Sequence, residues 1–490
     1  MAVPPSKISP IIIVGAGAFG LSTALHLAHA GYSNVTVVDY QPYDEIAYST
    51  ALGADAASAD MNKVLRLSYG SEILYQRLAF DSLEYWNAWN EQISQSAPEQ
   101  LPKGLKPTDK IWNNCGYLRM SLDEKLSEHE EATLLNLTAE GLRDTQYILG
   151  NQNDDARARS KGLTRKFDPM LRKARGKSLT GVFDSTAGFV EASKCCTWAM
   201  HLAKQAGVKF VLGHQGRMTS FLKKNGRTCG IMTADGQRHK ADLVVLAAGA
   251  WTPSILPSLA PLLETTAGSV AYFQLPPQEQ APELWERFSP ANFPVYAWGG
   301  WSKGAGLGGF PRTETGILKI GFRGTKYTNY ETVVDEKGDE HRISVPKTAW
   351  WPRAATPQIT KQAAVEIKDF VKENLPELAD LGIAGCRNCW YTDSLDNNFV
   401  IDWVPDDAGL VICSGGSGHG FKFLPILGRE VVKIIENPTQ KNEYGKMWAW
   451  RTQTNGPRNG LEDGEGGSRV LSKQKMATKE DWKFSETAKL

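Results

Sequence analysis

The chain has 490 residues, of which 41% are hydrophobic and 22% charged, and a formal net charge of +1. That length exceeds what one small core holds and predicts two domains; the near-neutral balance gives no electrostatic case for nucleic acid or an anionic membrane as partner. Seven cysteines, odd in number and irregularly spaced, do not make a disulfide framework and point to a reducing compartment.

The first ten residues, MAVPPSKISP, lack the charged and apolar regions of a secretory signal, and no segment approaches the roughly 20 apolar residues of a membrane span. Residues 10 to 40 then read as strand, tight turn, helix and strand. Gly15, Gly17 and Gly20 make a G-x-G-x-x-G, and small Ala16 and Ala18 leave room for a pyrophosphate over the helix N-terminus. Asp39, ending the second strand, is placed to accept from ribose hydroxyls. This motif alone fits NAD or FAD.

A small-residue stretch, ALGADAASADM, leads into Asn62, Lys63 and Arg66; on residue statistics alone those two cations are surface charges. Residues 91 to 180 are charged, glycine-poor and helix-compatible. Strand-like runs follow at Gly207 to Met218 and Ala241 to Pro253, the latter turning through Gly249. Residues 265 to 350 are aromatic and alternating, which predicts a mainly antiparallel sheet. Lys319 interrupts one of its apolar strands, where alternation turns it either to solvent or to a site. From Cys389 to Phe423 the pattern is strand, turn, strand, glycine loop and a helix start near Phe423, whose positive end suits an electron-rich ring or an anion. Cys386 and Cys389 form a C-x-x-C without the second ligand pair that a zinc site needs, and no metal is expected.

The runs Cys389-Trp390-Tyr391-Thr392, Phe399 to Asp402 and Ser417 to Phe423 (SGHGFKF) resemble monomeric sarcosine oxidase and the fungal fructosyl amino acid oxidases, or amadoriases. The resemblance implies an α/β fold, with a Rossmann-like FAD-binding domain and an α+β substrate domain of mainly antiparallel sheet plus helices. Residues 1–90, 181–255 and 385–450 are expected to form the first, 91–180 and 256–384 the second, and 451–490 an extended appendage. It makes Cys389 the covalent anchor of FAD, through an 8α-S-cysteinyl thioether, and Lys319 the oxygen-activating cation, with Lys63 a second cation over the ring. Arg66 and Lys422 become a carboxylate clamp and Tyr391 a wall of the pocket. Cofactor contacts are expected from Gly15, Gly17, Ala18, Phe19, Gly20, Asp39, Asn62, Lys63, Met218, Gly249, Gly416, Gly418, Phe421 and Lys422, and His419 reads as loop structure near the flavin rather than a base.

The implied reaction is oxidation of an amine C–N bond to an imine, with oxygen reduced to hydrogen peroxide; it needs a neutral amine, whose lone pair pushes the hydride off. N-methyl or N-alkyl amino acids, pipecolate or saccharopine-like amines and fructosyl amino acids all remain open, because Asn62-Lys63 and Phe421 to Pro425 look like amadoriases while Ser417 to Gly420 look like sarcosine oxidases. An N-methyl aromatic substrate whose phenol traps the imine to close an isoquinoline would use aromatics such as Tyr272, Phe273, Tyr296, Trp298 and Trp301. From other classes, an NAD-dependent dehydrogenase explains Gly15 to Gly20 but not Cys389, and a silent flavin-binding scaffold needs no Lys319 at the flavin. The expected partners are the amine and O2, with the protein a monomer; the Ala488-Lys489-Leu490 ending resembles the peroxisomal S-K-L address and predicts its import receptor as a partner and the peroxisome as location.

Overall fold

The computed structural model describes residues 3–121, 124–299, 306–348, 358–451 and 463–484. Two sheets organise them. The first has six strands in the order Val400–Val404, Asp407–Ser414, Leu243–Leu246, Ile11–Val14, Val35–Asp39 and Lys209–Leu212, all parallel to their neighbours except the outermost hairpin partner, Val400–Val404. Ile11–Val14 is buried throughout because both faces are covered, the usual reason for an unbroken apolar run in a parallel strand. Helices Ala18–His29, Ala192–Gln205 and Leu427–Glu436 cover one face. A three-stranded sheet, through Phe221 and Ile231, covers the other.

The second sheet has eight strands, in the order Gly385–Ser394, Leu263–Gln274, Ile317–Tyr327, Leu307–Gly309, Val295–Trp298, Tyr117–Ser121, Thr180–Asp184 and Gln146–Ile148. Only the Val295–Trp298 and Tyr117–Ser121 pair is parallel, so the expected antiparallel character holds. The fold is α/β with an α+β second part.

Three expectations change. Residues 91–180 are not only helical: besides helices Glu128–Ala139 and Gln152–Ser160 they supply Tyr117–Ser121 and Gln146–Ile148 to the large sheet. These strands are short, and a buried arginine, Arg119, interrupts the apolar pattern that would have betrayed the first. The helix expected at Phe423 begins as a 3-10 turn, Phe421–Phe423, and the α-helix starts only at Leu427. The segment 463–484 is no loose appendage, for Arg469 pairs with Glu264 at 2.9 Å, Leu471 N–H donates to the Thr328 carbonyl and Leu471 and Ala477 are buried. Trp301 and the Ala488-Lys489-Leu490 ending lie outside the described residues. Among those described, no helix is long and apolar enough to cross a membrane.

Helices Ala18–His29 and Leu427–Glu436 meet at a glycine. Gly428 N–H donates to Ser22 Oγ at 2.8 Å, and a Cβ at Gly428 would overlap the Ser22 carbonyl. Gly428→Ala is expected to destabilise the protein by about 1–3 kcal/mol, the usual cost of overpacking, with Gly466→Ala, whose Cβ meets nothing within 4 Å, as a near-neutral control in the same denaturant titration.

Candidate active site

The first strand ends in Gly15, whose φ of +111° and tight approach to Ala247 leave no room for a side chain. Asp39 is tied to this turn: its two oxygens accept from Ala16 N–H at 2.7 Å and Gln41 N–H at 2.8 Å, while burial pushes its carboxyl up to about 6. Ala18 N–H, at the helix start, donates to Ser58 Oγ at 2.9 Å. From this loop a continuous cavity of about 1480 Å³ runs to the face of the large sheet. Every site residue expected from sequence lines it except Gly20, which packs behind the loop against Gly15. The volume exceeds the ~300–1,000 Å³ of a single drug-sized ligand, and so accommodates a dinucleotide together with a substrate. Gly249, at φ +53° with nothing near its missing Cβ, and the buried Asn62 Oδ1, which has no hydrogen-bond partner, both open onto it. These residues fit FAD: the loop of Gly15, Gly17 and Ala18 with Asp39 would hold the dinucleotide end, and Asn62, Lys63, Cys389 and the Gly416 to Gly418 loop the ring end.

At the sheet end the organising group is Asp60, buried at 2% exposure. Its Oδ2 lies 3.0 Å from Lys319 Nζ and 2.8 Å from Lys63 Nζ, and its Oδ1 lies 3.4 Å from Arg387. Burial disfavours the carboxylate, but Lys319, Lys63 and Arg387 outweigh it and hold the group far below the usual carboxylate range. Lys319, only 4% exposed, also donates to the Asn62 carbonyl at 2.6 Å and sits 4.5 Å from the Phe310 ring. Burial lowers its ammonium to about 8, with Asp60 limiting the fall. Lys63 reaches the other way, to within 3.7 Å of Cys389 Sγ; burial opposes its charge and Asp60 more than restores it. Cys386 and Cys389, three apart on one strand, face opposite sides, Cys386 the core of the large sheet and Cys389 the cavity, so they make no redox pair.

The glycine loop carries a second group. Lys422, 3% exposed, donates to Tyr69 Oη at 2.7 Å and the His419 carbonyl at 3.0 Å. Tyr69 in turn reaches His419 Nδ1 at 3.1 Å. Arg66 stacks over the Tyr69 ring at 4.4 Å and bonds the Ser68 carbonyl. Tyr391 accepts from Arg323 Nε at 3.0 Å, and the Arg323 guanidinium lies beside Gly418. Among the described residues Arg66, Lys422 and Arg323 form no ion pair with a carboxylate.

Sequence reasoning missed Asp60, Tyr69, Arg323 and Arg387. A signal existed for Arg323, four residues after Lys319 and hence on the same strand face. The aromatic pocket expected for a phenolic substrate does not assemble. Phe273 and Trp298 are core side chains, Tyr272 Oη is committed to Arg387 at 2.9 Å, and Tyr296, though it reaches the cavity, stacks on Phe370.

Comparison with known proteins follows the same lines. The family model described as FAD dependent oxidoreductase matches residues 10–434. The chain is 26% identical over 458 residues to L-saccharopine oxidase of Schizosaccharomyces pombe, covering 90% of this chain and 93% of that protein. It is 24% identical over 465 residues to amino acid oxidase imqH of Aspergillus flavus, covering 87% and 92%. The crystal structure of a modified fructosyl peptide oxidase from Aspergillus nidulans superposes with a TM-score of 0.77 at 26% identity, over 96% of this chain and 99% of that one. The NAD-dependent alternative is set aside: the chain belongs to the FAD-dependent oxidoreductase family and is an amine or amino acid oxidase.

Proposed function

We propose that the protein oxidises the C–N bond of a secondary amine carried by an N-substituted α-amino acid. The observation that carries this reading is the separation of cations along one cavity. Lys63, Lys319 and Arg387 are paired with Asp60 beside Cys389, whereas among the described residues Arg66, Lys422 and Arg323 make no ion pair with a carboxylate around the glycine loop. FAD held by these residues would supply the hydride acceptor and the route by which two electrons reach O2 as hydrogen peroxide. Arg66 and Lys422 hold the substrate carboxylate, the arginine through its fork and the lysine as a point charge, and so fix the reacting C–H. Lys319 keeps a positive charge where oxygen is reduced, and Cys389 is the covalent anchor. Water then hydrolyses the imine; among the described residues Phe273 and Trp298 pack in the core and so do not support ring closure on a substrate phenol.

Arg323 favours a narrower reading, in which the N-substituent itself bears a carboxylate. Its Nε is held by Tyr391 while the rest of the guanidinium borders the cavity; Asp393 acts on its charge from a distance, but among the described residues Arg323 makes no ion pair with a carboxylate. The similarity to a saccharopine oxidase is in keeping with that choice.

Anaerobic mixing with N-methyl amino acids, saccharopine and fructosyl amino acids, followed by loss of the oxidised flavin absorbance, tests the class; no bleaching by any of them excludes it. Acid precipitation is expected to give a yellow pellet that becomes colourless, with yellow supernatant, in Cys389→Ala. Arg323→Met is expected to raise KM for the dicarboxylic substrates by about 10-fold or more, as the loss of a hydrogen bond from a charged group implies, and to leave the N-methyl substrates less affected. For Lys319 the charged form is complete below, and lost as pH rises through, about 8. The rate at which pre-reduced enzyme consumes oxygen should therefore fall above that pH, whereas Lys319→Met should be slower by on the order of 100-fold and flat across the range.

A further inference from the structure

Lys422 is a buried amine whose hydrogen bonds can be assigned a direction. His419 Nε2 lies 3.0 Å from the Asn397 carbonyl, which only accepts, so Nε2 carries the ring proton. Burial holds the His419 imidazole well below its ordinary value and hence neutral, which leaves Nδ1 as an acceptor. The Tyr69 hydroxyl, 3.1 Å away, therefore donates to Nδ1 and turns a lone pair toward Lys422. Both neighbours of Lys422 Nζ, the Tyr69 oxygen and the His419 carbonyl, are thus acceptors, and together they use two N–H groups.

A neutral amine has two N–H groups and one lone pair. That count matches the site, and Lys422 lines the cavity. An ammonium would carry a third N–H for which the described residues offer no acceptor. The charged neighbour that acts on it is Arg66, a second cation, and among the described residues Lys422 makes no ion pair. Burial first, and Arg66 next, hold its pKa well below that of an ordinary lysine.

We infer that Lys422 receives the substrate as an uncharged amine and takes the proton from the substrate's own ammonium, becoming charged as it engages the substrate carboxylate. This rests on the reading of Arg66 and Lys422 as a carboxylate clamp. The N–H bond breaks at the substrate nitrogen and forms at Nζ; no electrons change hands and the charge of the complex is conserved. What arrives as a zwitterion becomes a neutral amine, with the lone pair that hydride removal requires, and an internal ion pair between Lys422 and the carboxylate. The site then needs no carboxylate base near the substrate nitrogen, and Tyr69 and His419 are positioning residues that set the direction of the lone pair.

Methylthioacetate isolates the step, since it carries the carboxylate and has sulfur where the substrate has nitrogen. Bound to the holoenzyme and followed by calorimetry in buffers of different ionisation enthalpy near neutral pH, it is expected to bring about one proton into the complex per molecule bound. Lys422→Arg, charged at every working pH, is expected to bind it with no proton uptake, and to require a higher pH before secondary amines bleach the flavin. Binding to the native enzyme without proton uptake, equal uptake in Lys422→Arg, or failure of the carboxylate to bind would each overturn the inference. If N-methyl amino acids bleach the flavin and the proton count is zero, this inference alone falls; if no secondary amine bleaches it, the reading beneath it falls.

Discussion

Asp60 joins distant parts of the chain on the cavity wall through one buried carboxylate. It belongs to the loop that follows the dinucleotide motif, yet its carboxylate is bonded to lysines and an arginine from that loop and from two strands of the large sheet. Removing one partner of a buried ion pair typically costs ~3–5 kcal/mol, because the remaining charge is left desolvated. Here a single anion faces three cations, with Asp55 3.7 Å from Arg387 as a more distant fifth participant. The cluster thus fixes where the cofactor loop sits against the sheet and leaves one positive charge in excess beside Cys389. Structure and electrostatics at this end of the cavity are one and the same constraint.

The glycine loop at the other end is built differently. Its basic groups are anchored through neutral partners: Lys422 by a phenol and a carbonyl, Arg323 by Tyr391, Arg66 by a ring face and the Ser68 carbonyl. Their backbone is held as firmly as any core residue, since the Lys422 carbonyl accepts from both Ser82 Oγ at 2.5 Å and Trp86 Nε1 at 2.8 Å. Such groups are oriented without an ion pair. In the proposed reading an anionic ligand would complete them, and its carboxylate would not need to displace a protein carboxylate to do so.

How much of this the sequence showed depended on whether a signal was local. The dinucleotide turn was legible because Gly15, Gly17, Gly20 and Asp39 lie within one strand-helix-strand unit, and the parallel strand Leu243–Leu246 because it is an unbroken apolar run. The loop from Gly415 was legible as a close backbone approach, though its helix starts at Leu427 rather than Phe423, since 3-10 and α turns share the same local pattern. Strand Tyr117–Ser121 was not, because its Arg119 is satisfied by Glu130 at 2.8 Å, and the partnership that makes a buried arginine tolerable is tertiary. Asp60 escaped for the same reason: among small residues it looks like a loop acid, and its meaning comes from Lys319 and Arg387, hundreds of residues away. Resemblance brought Lys63, Arg66, Lys319, Cys389 and Lys422 to one place; it did not indicate which of them carry a carboxylate partner.

That distinction is visible in two lysines of one cavity. Lys319 is 4% exposed and Lys422 3%, so desolvation acts on both to nearly the same extent and pulls both amines down. Lys319 has Asp60 at 3.0 Å, which limits the fall to about 8, and it therefore remains a cation through the neutral range. Lys422 has Arg66 instead, which pushes in the same direction as burial. The difference between a permanent charge and a conditional one is thus a single buried carboxylate. In the proposed roles, Lys319 serves the oxygen end, where Asp60 keeps the charge present before any reactant arrives. Lys422 would serve the substrate end, where the missing carboxylate is the one an amino acid would bring.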